Sequence, residues 1–305
     1  MKVKVICLLL SILFFGCLTE ANDTLTSEED TARWVDVERI VAVGDVHGDY
    51  DQFVGVLRDT GVINDLDAWT AGETHLVQIG DIFDRGPDSR KVLDLLMSLE
   101  SQASEAGGKV HVLIGNHEAM VLNDDWRFLH DGEWKSFGSR EAFRQAMSPE
   151  GTYGQRIRER NAVITINNVL FVHAGISSKY ADTPLDEINA LVRTDLDTYR
   201  GIVRDPLGPL WYRAWVVDEE EEVYHSVQRV LSAHEVEHVV VGHSVVPEIT
   251  SRAHGTVIAI DIGMSSAYGG KAGALVIENG NFFEQYVGEE KRSLSALHRE
   301  GAGRE

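Results

Sequence analysis

Six short stretches of this 305-residue chain set a metal-ligating or acid–base side chain beside or near a glycine or another polar residue. They are Gly44-Asp45-Val46-His47-Gly48, Gly80-Asp81-Ile82-Phe83-Asp84-Arg85-Gly86, Gly115-Asn116-His117-Glu118, Val172-His173-Ala174-Gly175, Gly242-His243-Ser244 and Asp261-Ile262-Gly263. Glycine lets the backbone turn sharply and come close to a ligand. Any one stretch alone reads as a turn or an ordinary histidine; six in succession do not. Asp45, His47, Asp81, Asn116, His173 and His243 offer mixed oxygen and nitrogen donors without a thiolate. That set suits Mn, Fe or Zn better than Ca or Mg. Six protein ligands exceed what one open catalytic ion needs. They fit two ions sharing one carboxylate, an arrangement that clamps both oxygens of an in-line displacement at phosphorus.

Such residues need a scaffold that brings them to one edge. Runs at Arg39–Gly44, His75–Gly80, Lys109–Gly115, Val169–Gly175, His238–Gly242 and Thr256–Ile260 are rich in Val and Ile and too short for helices. They read as buried strands. Helical patterns at Tyr50–Thr60 and Ser89–Gln102 separate the first three, which predicts a parallel or mixed sheet. In such sheets ligands bind at the carboxyl ends of the strands, where these motifs lie. Asn167-Asn168 and Asn279-Gly280 each sit between two apolar runs and have the residue types of a two-residue hairpin. Antiparallel pairs among parallel ones predict an α/β fold of two packed sheets. Glu118 to Arg160 lacks strand patterns and reads as a helical insertion over one end of the sheet, with Trp126 and Trp134 packing the insertion itself. The acidic run Asp218–Glu222 reads as a solvated loop.

Hydrophobic content of 43% and charged content of 25% exclude a disordered, collagen-like or polytopic membrane chain. Lys and Arg total 28 against 49 Asp and Glu, a net charge of −21 that speaks against nucleic acid as a partner. A cleft that focuses a few Arg and metal ions can still hold a phosphorylated group. Lys2, Lys4 and the apolar run Val5–Leu18 read as a signal peptide ending near residue 21. Phe15-Gly16-Cys17 also resembles a lipidation site at Cys17. Both cysteines, Cys7 and Cys17, lie in this segment, so the mature chain carries no disulfide. Export without disulfides suits a bacterial periplasm. The expected organisation is a signal peptide over 1–21, a linker over 22–34, one catalytic domain over 35–287 and a polar tail over 288–305. Membrane contact is expected only through the N-terminal segment, if it stays uncleaved or lipidated.

The ordered set GDVHG, GDxxDRG, GNHE, VHAG and GH resembles the calcineurin-like metallophosphoesterases of the phosphoprotein phosphatase class, from Arg39 to about Val287. Gly208-Pro209-Leu210-Trp211-Tyr212-Arg213 and Asp261-Ile262-Gly263-Met264-Ser265 are similar to the Shewanella-like phosphatases, with Ala214 where that subgroup often has Gly. The resemblance implies a two-sheet β-sandwich flanked by helices. It implies Asp45 and His47 on a first ion, Asp81 bridging, and Asn116, His173 and His243 on a second. Water acidified by the two ions would then be the nucleophile. It makes His117 the general acid, held by Asp84, and Arg85 and Arg213 the phosphate grips. The implied substrates are phosphorylated proteins or peptides, on phosphotyrosine or phosphoserine and phosphothreonine, or small phosphomonoesters. A dinucleoside polyphosphate or nucleotide hydrolase is the alternative on the same scaffold. A non-catalytic phosphopeptide-binding protein is disfavoured, because no expected ligand, acid or Arg is missing.

Overall fold

The computed structural model describes residues 32–294, which form one unit. The proposed signal peptide and Cys17 lie outside the described residues. Among the described residues, twelve strands make two six-stranded sheets. They are β1 (Arg33–Trp34), β2 (Arg39–Val43), β3 (His75–Gln78), β4 (Lys109–Val112), β5 (Val163–Ile166), β6 (Val169–Val172), β7 (His238–Val241), β8 (Thr250–Arg252), β9 (Val257–Ala259), β10 (Gly273–Glu278), β11 (Asn281–Tyr286) and β12 (Arg292–Ser293). One sheet runs β12-β11-β10-β2-β3-β4 and the other β1-β5-β6-β7-β9-β8. The central pairs β2–β3, β3–β4, β6–β7 and β7–β9 are parallel. Both expected hairpins are present: Ile166 faces Val169 across Asn167-Asn168, and Glu278 faces Asn281 across Asn279-Gly280.

Strand periodicity builds the layers. Ile40 and Ala42 of β2 point into a core shared with Ile164, Phe171 and Val240 of the other sheet. Val41 and Val43 point the opposite way, toward helices α1 (Tyr50–Asp59) and α2 (Ser89–Glu105). A strand's side chains alternate between faces, so a strand apolar on both must be covered on both. The second sheet is covered by α7 (Leu185–Leu196) and α9 (Glu220–His234), whose Ile188, Val192, Val227 and Val230 join the shared core. The result is the two-sheet mixed sandwich flanked by helices.

Between β4 and β5 lie α3 (Asn116–Leu122), α4 (Asp131–Ser136), α5 (Arg140–Met147) and α6 (Thr152–Arg158). This is the expected insertion, and its two tryptophans pack edge to face with each other at 5.3 Å and with Phe143 at 5.6 and 5.4 Å. Three local expectations differ. Arg33–Trp34, placed at the end of a linker, pair in parallel with Thr165 and Ile166. Arg292–Ser293, placed in a tail, pair with β11. The acidic run is only partly loop: after α8 (Ala214–Val217), Glu220, Glu221 and Glu222 form the first turn of α9. Negative charge there complements the helix dipole.

Candidate metal centre and active site

Asp45 and His47 follow β2, Asp81 and Asp84 follow β3, and Asn116 and His117 open α3 after β4. His173 follows β6 and His243 follows β7. The parallel order therefore delivers residues from both sheets to one edge of the sandwich. The loops are tied together by the backbone. The N–H groups of Val46 and His47 donate to the Asp81 carbonyl, at 3.1 and 2.9 Å, and Gly48 donates to Ile82 at 2.7 Å. His47, Asp81, Asp84, Arg85 and His243 all adopt positive φ, between 47° and 72°. Non-glycine residues avoid that region, at a cost of order 1–3 kcal/mol each, and such strain gathers at functional sites. Two glycines are required by contact. A Cβ on Gly115 would lie 2.2 Å from Asp81 Oδ1, and one on Gly242 would lie 2.4 Å from Asp45 Oδ1.

Asp81 is the hub. Two groups of potential ligand atoms each lie within 4.8 Å of one another: His47, Asp81 and His117, and Asp81, His173 and His243. His173 Nε2 stands 3.4 Å from Asp81 Oδ1 and 3.0 Å from Asn116 Oδ1. His47 Nδ1 donates to the Phe83 carbonyl at 2.8 Å, and His173 Nδ1 donates to that of Ile79 at 3.1 Å. Those bonds put a proton on Nδ1 and turn each Nε2 inward. His173 Nε2, Asp81 Oδ1 and Asn116 Oδ1 thus converge on one point that a cation could occupy. His243 Nε2 is buried without a hydrogen-bond partner. Asp45 accepts from the His243 N–H through both oxygens, at 3.2 and 3.1 Å, and sits close to Asp261 and Asp81. The residues fit a divalent metal site on this evidence of orphaned and opposed acceptors.

Electrostatics agree. Burial holds His47 at about 4 and His243 at about 2, so both imidazoles stay neutral and able to ligate. Burial pushes Asp81 up, but the neighbouring imidazoles, His173 and then His117, outweigh it and hold the carboxyl well below its usual range. Burial and then the charges of Asp261 and Asp81 lift Asp45 well above that range. Asp261 itself is pushed up to about 6, chiefly by burial. This is a crowd of carboxylates that a cation would balance.

His117 differs from its neighbours. Its Nδ1 donates to Asp84 Oδ2, and its Nε2 stands 3.8 Å from Asp81 Oδ2. Burial alone would lower it, yet Asp81 and Asp84 together raise it above the ordinary imidazole value. An imidazole that keeps its proton can donate it. That separates His117 from His47, although their rings meet at 4.9 Å. Arg85 is half-buried at the mouth, beside Phe128 and Tyr268. Arg213 donates through Nη1 to the His243 carbonyl at 2.8 Å and to Ser244 Oγ at 3.0 Å. The acidic run takes Arg252 instead, through Glu220 and the Asp218 carbonyl.

The structure adds two residues. Glu118 is buried and accepts three backbone N–H groups, from Asp81 (2.8 Å), Ile82 (2.7 Å) and Gly115 (2.7 Å). Its place beside His117 was visible in sequence, but its partners were not. Gln78 accepts from the Gly80 N–H at 3.1 Å and donates back to the Gly80 carbonyl at 2.6 Å, bracing the turn that carries Asp81.

The calcineurin-like phosphoesterase family matches residues 38–247, a span that holds Asp45, His47, Asp81, Asn116, His117, His173 and His243. An uncharacterized protein of Schizosaccharomyces pombe is 33% identical over 257 residues, covering 78% of this chain and 76% of that protein. Shewanella-like protein phosphatase 2 of Arabidopsis thaliana is 27% identical over 283 residues, covering 75% and 72%. The structure of a cold-active protein-tyrosine phosphatase from a psychrophilic Shewanella species has a TM-score of 0.78 and 33% identity, covering 88% of this chain and 85% of that one. With the sandwich, the clustered Asp and His residues and this match in agreement, the chain belongs to the calcineurin-like phosphoesterases and is a metal-dependent phosphatase.

Proposed function

We propose that the enzyme is a phosphoprotein phosphatase that hydrolyses phosphomonoesters. The observation that carries this reading is the His117–Asp84 pair set beside Asp81, with Arg85 and Arg213 at the edge of the same cluster. Asp45 and His47 would hold one divalent ion, Asn116, His173 and His243 a second, and Asp81 both. The donor set suits Mn, Fe or Zn. When bound, such ions place positive charge on phosphate oxygens and acidify a water.

The chain's own residues supply the rest. His117 Nε2 would give its proton to the leaving oxygen, while Asp84 holds the ring by its Nδ1–H. The guanidinium forks of Arg85 and Arg213 would each grip two phosphate oxygens as their charge grows. The name of the related Shewanella structure, a protein-tyrosine phosphatase, makes phosphotyrosine the first substrate to examine.

The test is a panel of phosphotyrosine, phosphoserine and phosphothreonine peptides against nucleotides and dinucleoside tetraphosphate, with metal content measured on the same protein. Faster turnover of phosphopeptides is expected. Preference for the dinucleoside polyphosphate would replace this reading by the alternative one. We further propose that residues 1–21 direct export to a bacterial periplasm, on the strength of Lys2, Lys4 and the apolar run that follows. A mature N-terminus read by mass spectrometry after residue 21, or a lipid on Cys17, would support export; an intact Met1 in a cytoplasmic fraction would contradict it.

A further inference from the structure

Arg85 is held in an unusual way for a residue assigned to phosphate. Its backbone is pinned by the left-handed pair Asp84 and Arg85 (φ 72° and 69°) and by its N–H, which donates to the Phe128 carbonyl at 3.0 Å. Its guanidinium carbon lies 4.1 Å from the centre of the Phe128 ring. Its Nε donates to Tyr268 Oη at 3.0 Å. No carboxylate among the described residues forms an ion pair with it. The face and the Nε edge are therefore occupied, and the two terminal nitrogens have no hydrogen-bond partner among the described residues.

Phe128 and Tyr268 come from opposite parts of the chain, the insertion and the loop after β9. Both rings stay well exposed, at 38% and 43%, so burial does not explain their placement. Each loop is anchored separately. Leu129 N–H donates to the Trp126 carbonyl at 3.1 Å, and Trp126 belongs to the insertion's aromatic cluster. Ser266 N–H donates to Asp49 Oδ2 at 2.8 Å, and Tyr268 N–H to the Ser265 carbonyl at 2.8 Å. Phe128 also lies 5.8 Å from the His117 ring and Tyr268 lies 5.5 Å from that of His47.

We infer that Phe128 and Tyr268 are positioning residues that bracket the Arg85 guanidinium and hold its terminal N–H pair ready for a phosphate dianion. The inference rests on the reading of Arg85 as a phosphate grip. A long, flexible arginine must be ordered before it can bind in two-point fashion. The ring face and the phenol oxygen order it beforehand, which tightens binding without adding a contact to the ligand.

The test is a double-mutant cycle on the metal-loaded enzyme with inorganic phosphate as probe. Its affinity is read by calorimetry and by inhibition of para-nitrophenyl phosphate hydrolysis. Tyr268→Phe and Phe128→Leu are each expected to weaken phosphate binding by roughly 3- to 10-fold, the scale of one charged hydrogen bond or one cation–ring contact. Phe128→Tyr, which keeps the ring, is expected to restore it. In an Arg85→Ala background neither substitution should change phosphate affinity further. An equal loss in that background would show the rings acting on the ligand directly and overturn the inference. If Arg85→Ala weakens phosphate binding while Tyr268→Phe and Phe128→Leu do nothing, the bracket fails and the grip stands. If Arg85→Ala itself leaves phosphate affinity unchanged, the inference and the assignment of Arg85 fall together.

Discussion

At the scale of single residues, the site divides imidazoles by the partner of their Nδ1. His47 and His173 give theirs to backbone carbonyls and turn Nε2 toward Asp81; His117 gives its own to a carboxylate. His117→Asn should therefore cut turnover of phosphoserine peptides by about 10²-fold or more, the usual worth of a general acid. Para-nitrophenyl phosphate, whose leaving group needs little protonation, should lose far less; equal losses on both would leave His117 without the acid role. Arg213 Nη1 is bound to the His243 carbonyl and Ser244 Oγ, which sets its guanidinium beside a candidate ligand. Arg213→Lys should lower kcat/KM by about 10²-fold with metal content and Tm near wild type. Normal kinetics would make Arg213 a brace for the Gly242–Ser244 turn. The clustering of Asp45, His47, Asp81, Asp84, Arg85, Asn116, His117, His173 and His243 was legible in sequence because each stands one or two positions from a glycine after a strand; Arg213 is placed only by its Trp-Tyr-Arg motif. What sequence could not show was contact across long separations: Asp261 beside Asp45, Glu118 under the Asp81 turn, Phe128 and Tyr268 around Arg85.

At the scale of elements, Glu118 joins the loop after β3 to the start of α3. Two carboxylate oxygens serve three N–H groups, so Glu118→Gln replaces an acceptor by a donor facing a donor. Buried mismatches of that kind cost about 1–3 kcal/mol. A Tm lower by several degrees and weaker metal retention are expected by calorimetry and elemental analysis; an unchanged Tm would contradict the bracing role. A second pair of histidines lies at the other end of the strands. His111 Nε2 stands 3.1 Å from His75 Nδ1, and Trp34 packs edge-on against both rings, at 4.3 and 6.4 Å. Burial, then Lys109, holds His75 at about 4; burial, then His75 and Lys109, holds His111 well below its ordinary value. Unfolded, both would titrate near 6.5, so between pH 6.5 and about 4 the unfolded chain binds more protons than the folded one. Stability contributed by this pair is complete above about pH 6.5 and lost as pH falls. A double variant with His75→Leu and His111→Leu should show a shallower fall of Tm over that window, and an identical fall would assign the acid sensitivity elsewhere. Trp34 belongs to a strand of two residues, too short and too polar to stand out in the sequence. The acidic opening of α9 is the reverse case: the charges at a helix start were visible, but a run of acids reads first as solvent-facing loop.

At the scale of the whole molecule, the two-sheet arrangement exists in this chain to make one edge where residues 45 to 243 meet. The strand alternation, the parallel pairs and both asparagine hairpins were legible because periodicity and turn chemistry are local. The pairing order of the sheets was not, because it depends on which faces bury each other. The two-ion centre depends most on Asp81, the carboxylate common to both groups of potential ligands. The direct measurement is metal content per folded chain, by elemental analysis, for the active wild-type enzyme and for Asp81→Asn. Close to two ions per wild-type chain are expected, with one or both lost from Asp81→Asn together with activity while circular dichroism stays native. A single tightly bound ion in a fully active wild-type enzyme, or full metal content in Asp81→Asn, would contradict it.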